Sequence, residues 1–470
     1  MKTMNPTNFS CKALLAGVSL FSGVSASAAP LEETRPNIIL IMTDQQTAGA
    51  LSCMGNPNVK TPAMDALAAD GVMLTRGYCS FPVSNPSRAS LMTGFMAYET
   101  GVRDNGDTMK PEYEQQSLGL VMKEAGYECL YAGKWHIPDV EVPDRFGFTN
   151  ITGMDDRILV DKCKPYLQKK YDKPVFFVAS FLNPHEICEY ARNESLLYGQ
   201  LAPFDLEKTP NLPANFMPPT YEPEALKLEK QWAPMFHDTY TYTQDDWRRY
   251  LYAYYRLVER VDLEVGRLVA ELKANGLYDN SVIIFTSDHG EGVAAHQWNQ
   301  KWALYEEVVN VPLFIKAPKS KGKKGVRNDK ALSNIGLDLF PTVCDYAGVK
   351  LNDSYTGMSL RPIAEGSADT LHEHVFIETY MSSARVRGFS IIEGRYKYVL
   401  YLYYQNREQL FDLENDPGEM LNLAVDSRHA EKLQQMREKL WPWAQRLKDP
   451  RMMKGVRPLA LPADKGFYQD

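Results

Sequence analysis

Asn37-Ile-Ile-Leu-Ile-Met42 carries five apolar residues in succession and then gives way at once to Thr43-Asp44-Gln45-Gln46. A strand with one wet face would alternate apolar and polar side chains. A short, unbroken apolar run between polar turns suits a strand covered on both faces, as in a parallel sheet. Two further runs read the same way. Pro174-Val-Phe-Phe-Val-Ala-Ser180 leads into Asn183-Pro-His-Glu186, and Ser281-Val-Ile-Ile-Phe-Thr286 leads into Ser287-Asp-His-Gly-Glu291. All three place polar, reactive side chains just past the carboxyl end of a strand, where open α/β sheets bind ligands.

Helix-like segments separate these strands. Residues 61–70 form one, and residues 247–272 form a longer one with apolar positions recurring at three and four. Gly276 stops the longer one just before the third strand. Strands alternating with helices predict an α/β fold, a large, mostly parallel sheet sandwiched by helices. Residues 190–243 are rich in Pro, Tyr, Glu and Met and weakly periodic, and read as a surface excursion of the kind that carries specificity. Beyond residue 370 the pattern changes. Residues 386–392, 396–404 and 409–413 read as short strands, Asn415-Asp-Pro-Gly418 as a turn, and 428–440 as an amphipathic helix that Pro442 kinks or ends. The expected division is a main α/β domain over 36–370 and a smaller C-terminal α+β subdomain over 371–470.

The 470 residues are 44% hydrophobic and 24% charged, an ordinary globular composition with material for a large core. The formal net charge is −7. A mildly acidic chain without a basic stripe is a poor nucleic-acid binder, although a local basic pocket can still take an anionic substrate. Residues 1–28 read as a signal peptide: Lys2 and Lys12 give positive charge, a short apolar stretch follows, and Ala26-Ser-Ala28 offers small residues for cleavage. The apolar stretch, broken by Ser19, Ser22 and Gly23, falls short of a membrane span. The expectation is a protein exported to the periplasm with no stable membrane span. Six cysteines lie beyond that segment, without the CxxC spacing of a zinc or redox site.

Ser84-Asn-Pro-Ser-Arg-Ala-Ser-Leu-Met-Thr-Gly94 carries the most specific signal. Ser84 suits a helix N-cap, with Pro86 in the first turn. Free N–H groups there would face an anion, and Arg88 would add a bidentate partner for an oxyanion. A plain capped helix explains the same residues. Asp44-Gln45 and Asp288-His289 follow the first and third apolar runs. They suit turn and capping roles, or an oxygen-rich metal site favouring Ca²⁺ or Mg²⁺ over zinc.

The Ser84 segment resembles the signature of the type I, formylglycine-dependent sulfatase family of the alkaline-phosphatase-like superfamily: Cys or Ser, a variable residue, Pro, Ser, Arg, and a spacer ending in Thr-Gly. The resemblance implies that Ser84 is oxidised to formylglycine. A serine there resembles the branch matured by a radical iron–sulfur maturase. A hydrated aldehyde offers two hydroxyls on one carbon: one attacks sulfur and expels the alcohol, and the other lets the intermediate collapse and release sulfate. By the same resemblance Asp44, Gln45, Ser84, Asp288 and His289 hold a divalent metal. Gln45 and His289 depart from the commoner Asp-Asp and Asp-Asn version, which admits Mn²⁺ beside Ca²⁺ and Mg²⁺. Gly133-Lys-Trp-His136 resembles another family element, in which Lys134 binds nucleophile and sulfate and His136 takes a proton. His185 is implied as the acid for the leaving alcohol, and Lys301, in His296-Gln-Trp-Asn-Gln-Lys301, as a sulfate-binding lysine. His296 itself suits a structural or supporting role as well as catalysis. Asp104 and Asn105 lie in a loop that lines the substrate pocket in such enzymes, or form a simple Asn-Gly turn.

The resulting expectation is an exo-acting sulfatase that removes sulfate from a sulfated carbohydrate. Two alternatives stand beside it. One is a phosphonate, phosphate or choline-sulfate esterase of the same fold, suggested by Gln45 and His289. The other is a glycan-binding protein in which Ser84 stays a serine.

Overall fold

The computed structural model describes residues 35–137, 143–232 and 237–460. The 1–28 signal segment lies outside them. The main sheet has eight strands in the order β5 (Thr149–Thr152), β4 (Glu128–Gly133), β6 (Val175–Pro184), β1 (Asn37–Asp44), β7 (Ser281–Ser287), β8 (Leu313–Lys316), β2 (Val72–Leu74) and β9 (Val326–Asn328). Every pairing in it is parallel except those of β8 with β7 and β2. The three apolar runs are thus its centre. Ile39 of β1 lies beside Phe177 of β6 and Ile283 of β7.

Both faces of β1 are covered, which explains the unbroken apolar run. Ile39 and Ile41 pack with Val261, Val265 and Leu268 of the helix Gln244–Ala274 and with Leu159 of the helix Asp156–Leu167. Ile38, Leu40 and Met42 face the opposite layer, with Leu91 of the helix Ser84–Thr93 and Leu339 of the helix Ile335–Ala347. Thr243 caps the long helix by accepting from Asp246 N–H, and Gly276 follows it at φ +69°.

A second, antiparallel sheet is built from β11 (His374–Met381), β12 (Val386–Glu393), β13 (Tyr396–Tyr401) and β14 (Glu408–Asp412). Val375, Ile377 and Val399 join the apolar cluster of the main domain. Phe376, Phe389 and Leu400, on the other face, pack with Leu433, Met436 and Leu440 of the helix Ala430–Leu447. β3 (Gly77–Tyr78) and β10 (Ser333–Asn334) form a small separate pair.

Three local expectations change. β11 was not anticipated. The C-terminal helix continues through Pro442 to Leu447, because Leu440, Ala444 and Leu447 stay buried on the sheet on both sides of the proline. Residues 190–243 contain helices, including Glu224–Trp232, whose Glu229 is fully buried and accepts from Ala384 N–H at 2.7 Å. The six described cysteines are free thiols. Among the described residues no helix is long and apolar enough to cross a membrane.

Candidate active site

The helix Ser84–Thr93 is buried along its whole length, and its first turn meets the ends of β1 and β7. Val83, extended at φ −151° and ψ 139°, holds the cap position, so Ser84 is the first residue inside the helix and not its cap. This corrects the capping role read from sequence. The Ser84 hydroxyl contacts the acidic cluster instead: Oγ lies 3.0 Å from His289 Nε2 and 3.3 and 3.4 Å from the two Asp44 carboxylate oxygens.

Parallel pairing of β1 with β7 sets Thr43 beside Ser287, which brings together Asp44, the last residue of β1, and Asp288, just past β7. Gln45, at φ +66°, donates its N–H to Asp288 Oδ1 at 3.1 Å. His289 Nδ1 lies 2.8 Å from Gly290 O. A carbonyl can only accept, so Nδ1 carries the hydrogen and the Nε2 lone pair faces the cluster. Ligand atoms of Asp44, Asp288 and His289 all lie within 4.8 Å of one another, in complete burial. Two carboxylates and an imidazole with a bare nitrogen, its other N–H fixed on a backbone carbonyl, fit a divalent metal.

Cations surround the acids. Arg88 donates from Nε to Asp288 Oδ2 at 2.8 Å, from Nη2 to Asp44 Oδ2 at 3.0 Å, and from Nη1 to Lys134 O and Ser180 Oγ. Four of its five donors are therefore engaged within the protein, so its main work is to hold the two carboxylates. At most one donor remains for the external oxyanion expected from sequence. Lys134 Nζ lies 2.5 Å from Asp44 Oδ2. It follows Gly133, where φ is +99° and a Cβ would sit 1.9 Å from Ser180 O, so only glycine permits this approach. Burial alone would raise the Asp44 pKa, but Lys134, His185 and Arg88 hold it well below the usual carboxylate range. Burial lowers Lys134 despite Asp44, with Arg88 and Lys301 adding to the effect.

Lys301 and His185 form the next wall, with Nζ and Nε2 3.4 Å apart. Burial, then Lys134 and Lys301, push the His185 pKa well below its ordinary value. His136 is open to solvent, at φ +56°, yet crowding by protein atoms and then Lys134 lower its pKa to about 3. Asn85 ties the Asp104 loop to the Ser84 helix: its Nδ2 donates to Asp104 O at 2.9 Å and to Asp107 O at 3.3 Å. Asn105 is exposed, with Oδ1 3.4 Å from Asn85 N, and Asp104 is half-buried, hydrogen-bonded to Ser382 and within electrostatic reach of Lys301. The structure thus gathers every residue singled out from the sequence into one region except His296.

His296 belongs to another cluster, stacked 3.9 Å from Tyr305 and grouped with Glu307 and Glu419. Two contributors escaped the sequence reading. Glu291 accepts from Gln45 Nε2 on one oxygen, and from Tyr250 OH at 2.6 Å and Gln300 N–H at 2.7 Å on the other. Tyr254 donates its hydroxyl to Gln45 O at 2.8 Å. Glu291 stands in the quoted Ser-Asp-His-Gly-Glu run, so its position was visible, but its partners come from distant segments.

A family profile described as Sulfatase matches residues 36–349, and one described as N-sulphoglucosamine sulphohydrolase, C-terminal, matches residues 294–446. The chain is 28% identical over 458 residues to Delta 4,5-hexuronate-2-O-sulfatase of Bacteroides thetaiotaomicron, covering 90% of this chain and 91% of that relative. A solved 2-O GAG sulfatase superposes with a TM-score of 0.78 at 27% identity, over 88% of this chain and 93% of that one. The phosphonate monoester hydrolase of Agrobacterium radiobacter shares the fold, with a TM-score of 0.72 at 24% identity over 88% and 96% of the two chains. The first profile spans both strand ends and the Ser84 helix, so the geometry described above falls inside the matched region. The chain belongs to the sulfatase family, in the alkaline-phosphatase-like superfamily, and is a sulfuric ester hydrolase.

Proposed function

We propose that this enzyme removes sulfate from the end of a sulfated glycan, using Ser84 converted to formylglycine as nucleophile and calcium held by Asp44, Gln45, Asp288 and His289. The observation that carries the reading is the placement of Ser84 Oγ, in contact with both His289 Nε2 and the Asp44 carboxylate at the start of a buried helix. A serine hydroxyl is a weak nucleophile without a dedicated base. Formylglycine, as its hydrate, supplies two hydroxyls on one carbon, and a hard divalent cation supplies charge stabilisation to oxygen.

The remaining residues divide the work of binding and proton transfer. Lys134 and Lys301, at 3% and 2% exposure, offer charge to sulfate oxygens where water does not screen it. Arg88 fixes the acids, and Glu291 fixes the Gln45 amide. His185, beside Lys301, gives a proton to the leaving alcohol. The lysines that depress its pKa are offset when an anionic ester enters, which favours the protonated ring. His136 accepts the proton released as sulfate departs. Asp104 and Asn105 meet the sugar. A carbohydrate substrate is supported by the named hexuronate sulfatase relative. Export to the periplasm rests on residues 1–28, and the division at residue 370 on the change to short antiparallel strands from β11 onward.

The test is turnover by protein co-expressed with a radical iron–sulfur maturase, assayed on sulfated mono- and disaccharides and on an aryl phosphonate. The reading expects sulfate release from a saccharide, suppressed by chelation and restored by calcium. Faster turnover of the phosphonate than of every sulfate ester would instead favour the monoesterase reading suggested by Gln45 and His289. No turnover at all, with Ser84 unmodified, would favour a glycan-binding protein.

A further inference from the structure

A cavity of about 260 Å³ is lined by Tyr98, Arg103, Arg387, Asp449, Pro450 and Arg451, three arginines around one opening. Arg387 forms the buried floor. It is 7% exposed, its Nη2 lies 3.1 Å from Glu378 Oε2, and it also contacts Asp449. The Tyr98 ring braces it, with the guanidinium carbon 4.4 Å from the ring centre, and Arg103 lies 5.8 Å from the same ring. Arg103 and Arg451 are exposed and have no ion-pair partner among the described residues. Three guanidiniums thus meet Glu378 and Asp449 at the cavity, and the two without an ion pair sit at its mouth, where Asp107 accepts from the Arg103 backbone N–H at 2.9 Å.

This cavity adjoins the substrate wall of the active site. Arg103 begins the loop that Asn85 ties to the Ser84 helix. Its neighbour Asp104 is hydrogen-bonded to Ser382, in the turn between β11 and β12, and Arg387 is the second residue of β12. Thr379, one residue before the partner of Arg387 on β11, donates to Trp302 O at 2.7 Å, next to Lys301. One side of this wall therefore serves the reacting sugar, and the other opens on the arginines.

We propose that this cavity is a subsite for an anionic sugar unit flanking the one that is desulfated, with Arg103 and Arg451 binding its carboxylate or sulfate. Guanidinium forks match such groups bidentately. The proposal rests on the glycan-sulfatase reading above. It makes the enzyme a reader of charge beyond the scissile sulfate, selective for polyanionic chains over singly sulfated sugars.

The test uses full-length Ser84→Ala protein, which does not consume its ligand, titrated calorimetrically with heparin-derived and chondroitin-sulfate-derived tetrasaccharides and with inorganic sulfate. Arg103→Ala and Arg451→Ala together are expected to weaken the better tetrasaccharide about tenfold, with a shallower salt dependence, and to leave inorganic sulfate unchanged. Both arginines are exposed, so the variant should fold, as circular dichroism would verify. Equal tetrasaccharide affinity in variant and parent overturns the subsite while the sulfatase reading stands. A parent that binds inorganic sulfate but neither tetrasaccharide overturns it as well. A parent that binds no probe removes the glycan reading together with the subsite.

Discussion

Two groups in this chain, among the described residues, pair one histidine with two carboxylates: Asp44, Asp288 and His289 at the strand ends, all buried, and His296, Glu307 and Glu419 near the C-terminal sheet, of which Glu307 is half-buried. They differ in what faces their lone pairs. In the first, Nε2 of His289 carries no hydrogen and is turned toward the Ser84 hydroxyl. In the second, the amide of Asn215 fills the space, its Nδ2 lying 2.8 Å from Glu307 Oε1, 3.2 Å from Gly418 O and 3.5 Å from His296 Nε2. Lys397 adds contacts of 2.9 Å to both Glu306 and Glu419. The same residue types therefore face a serine hydroxyl in one place and an amide and an ammonium in the other. The second cluster is not fully satisfied, since Glu307 Oε2 lacks a hydrogen-bond partner, so what distinguishes the first is the hydroxyl that its acceptors face.

That contrast is broken most severely at its extremes. Ser84→Ala should lower kcat/KM by on the order of 10⁴-fold or more while leaving the melting temperature unchanged, since it removes the reacting atom and little packing. Retained turnover, measured by sulfate release, would place the chemistry elsewhere. Lys397→Ala should do the reverse. It strands buried Glu419 and half-buried Glu306 without their cation, a change that costs about 3–5 kcal/mol in denaturant unfolding. Turnover by the fraction still folded should stay near the parent value, and a selective loss of kcat would make the second cluster catalytic.

Smaller effects sharpen the picture. Glu291→Gln should weaken metal affinity by about 10–100-fold, because it disturbs the partner that orients Gln45. Glu419→Gln should leave metal content unchanged, and loss of bound metal there by elemental analysis would contradict the assignment. A further effect concerns pH. Burial, then Glu306 and Glu307, push the Glu419 carboxyl up from 4.5 to about 8, although Lys397 opposes them. Lys397 is itself held charged by both of its carboxylate partners against burial, so the surplus of negative charge falls on Glu419. A raised folded pKa gives stability that is full below the unfolded value and lost as pH rises through the folded one. Glu419→Gln should therefore flatten the decline in unfolding free energy between about pH 4.5 and 8. Asp44, with its lowered pKa, has the opposite sign: its contribution is present above the unfolded value and lost as pH falls through the folded one. A steeper decline in the Glu419 variant would contradict this sign.

The centre of the fold was legible because β1, β6 and β7 are buried on both faces, so burial alone shaped their composition. The convergence of Ser84, Asp44 and Asp288 was legible because each polar residue stands at the end of a buried apolar run or at a helix start, where the sheet brings such ends together. β11 was harder to read. Glu378 and Thr379 interrupt its apolar pattern, and both are fully buried through distant partners, Arg387 and Trp302 O. Of the two effects expected of Pro442 the structure excludes an end to the helix, since packing on the sheet carries it past the proline. Ser84 was read as a cap because capping is a local preference, whereas its actual contacts span the chain to residue 289. Glu291 and the three-arginine cavity depend wholly on such long-range assembly, which spacing along the sequence does not reveal.

The central claim is that Ser84 becomes the reacting group of the strand-end cluster. Peptide mass spectrometry across Ser84, on protein matured by a radical iron–sulfur enzyme, addresses it directly. The account predicts a peptide lighter by two hydrogens, in a fraction that rises in step with sulfate-releasing activity. Full activity on an unaltered serine peptide would contradict it.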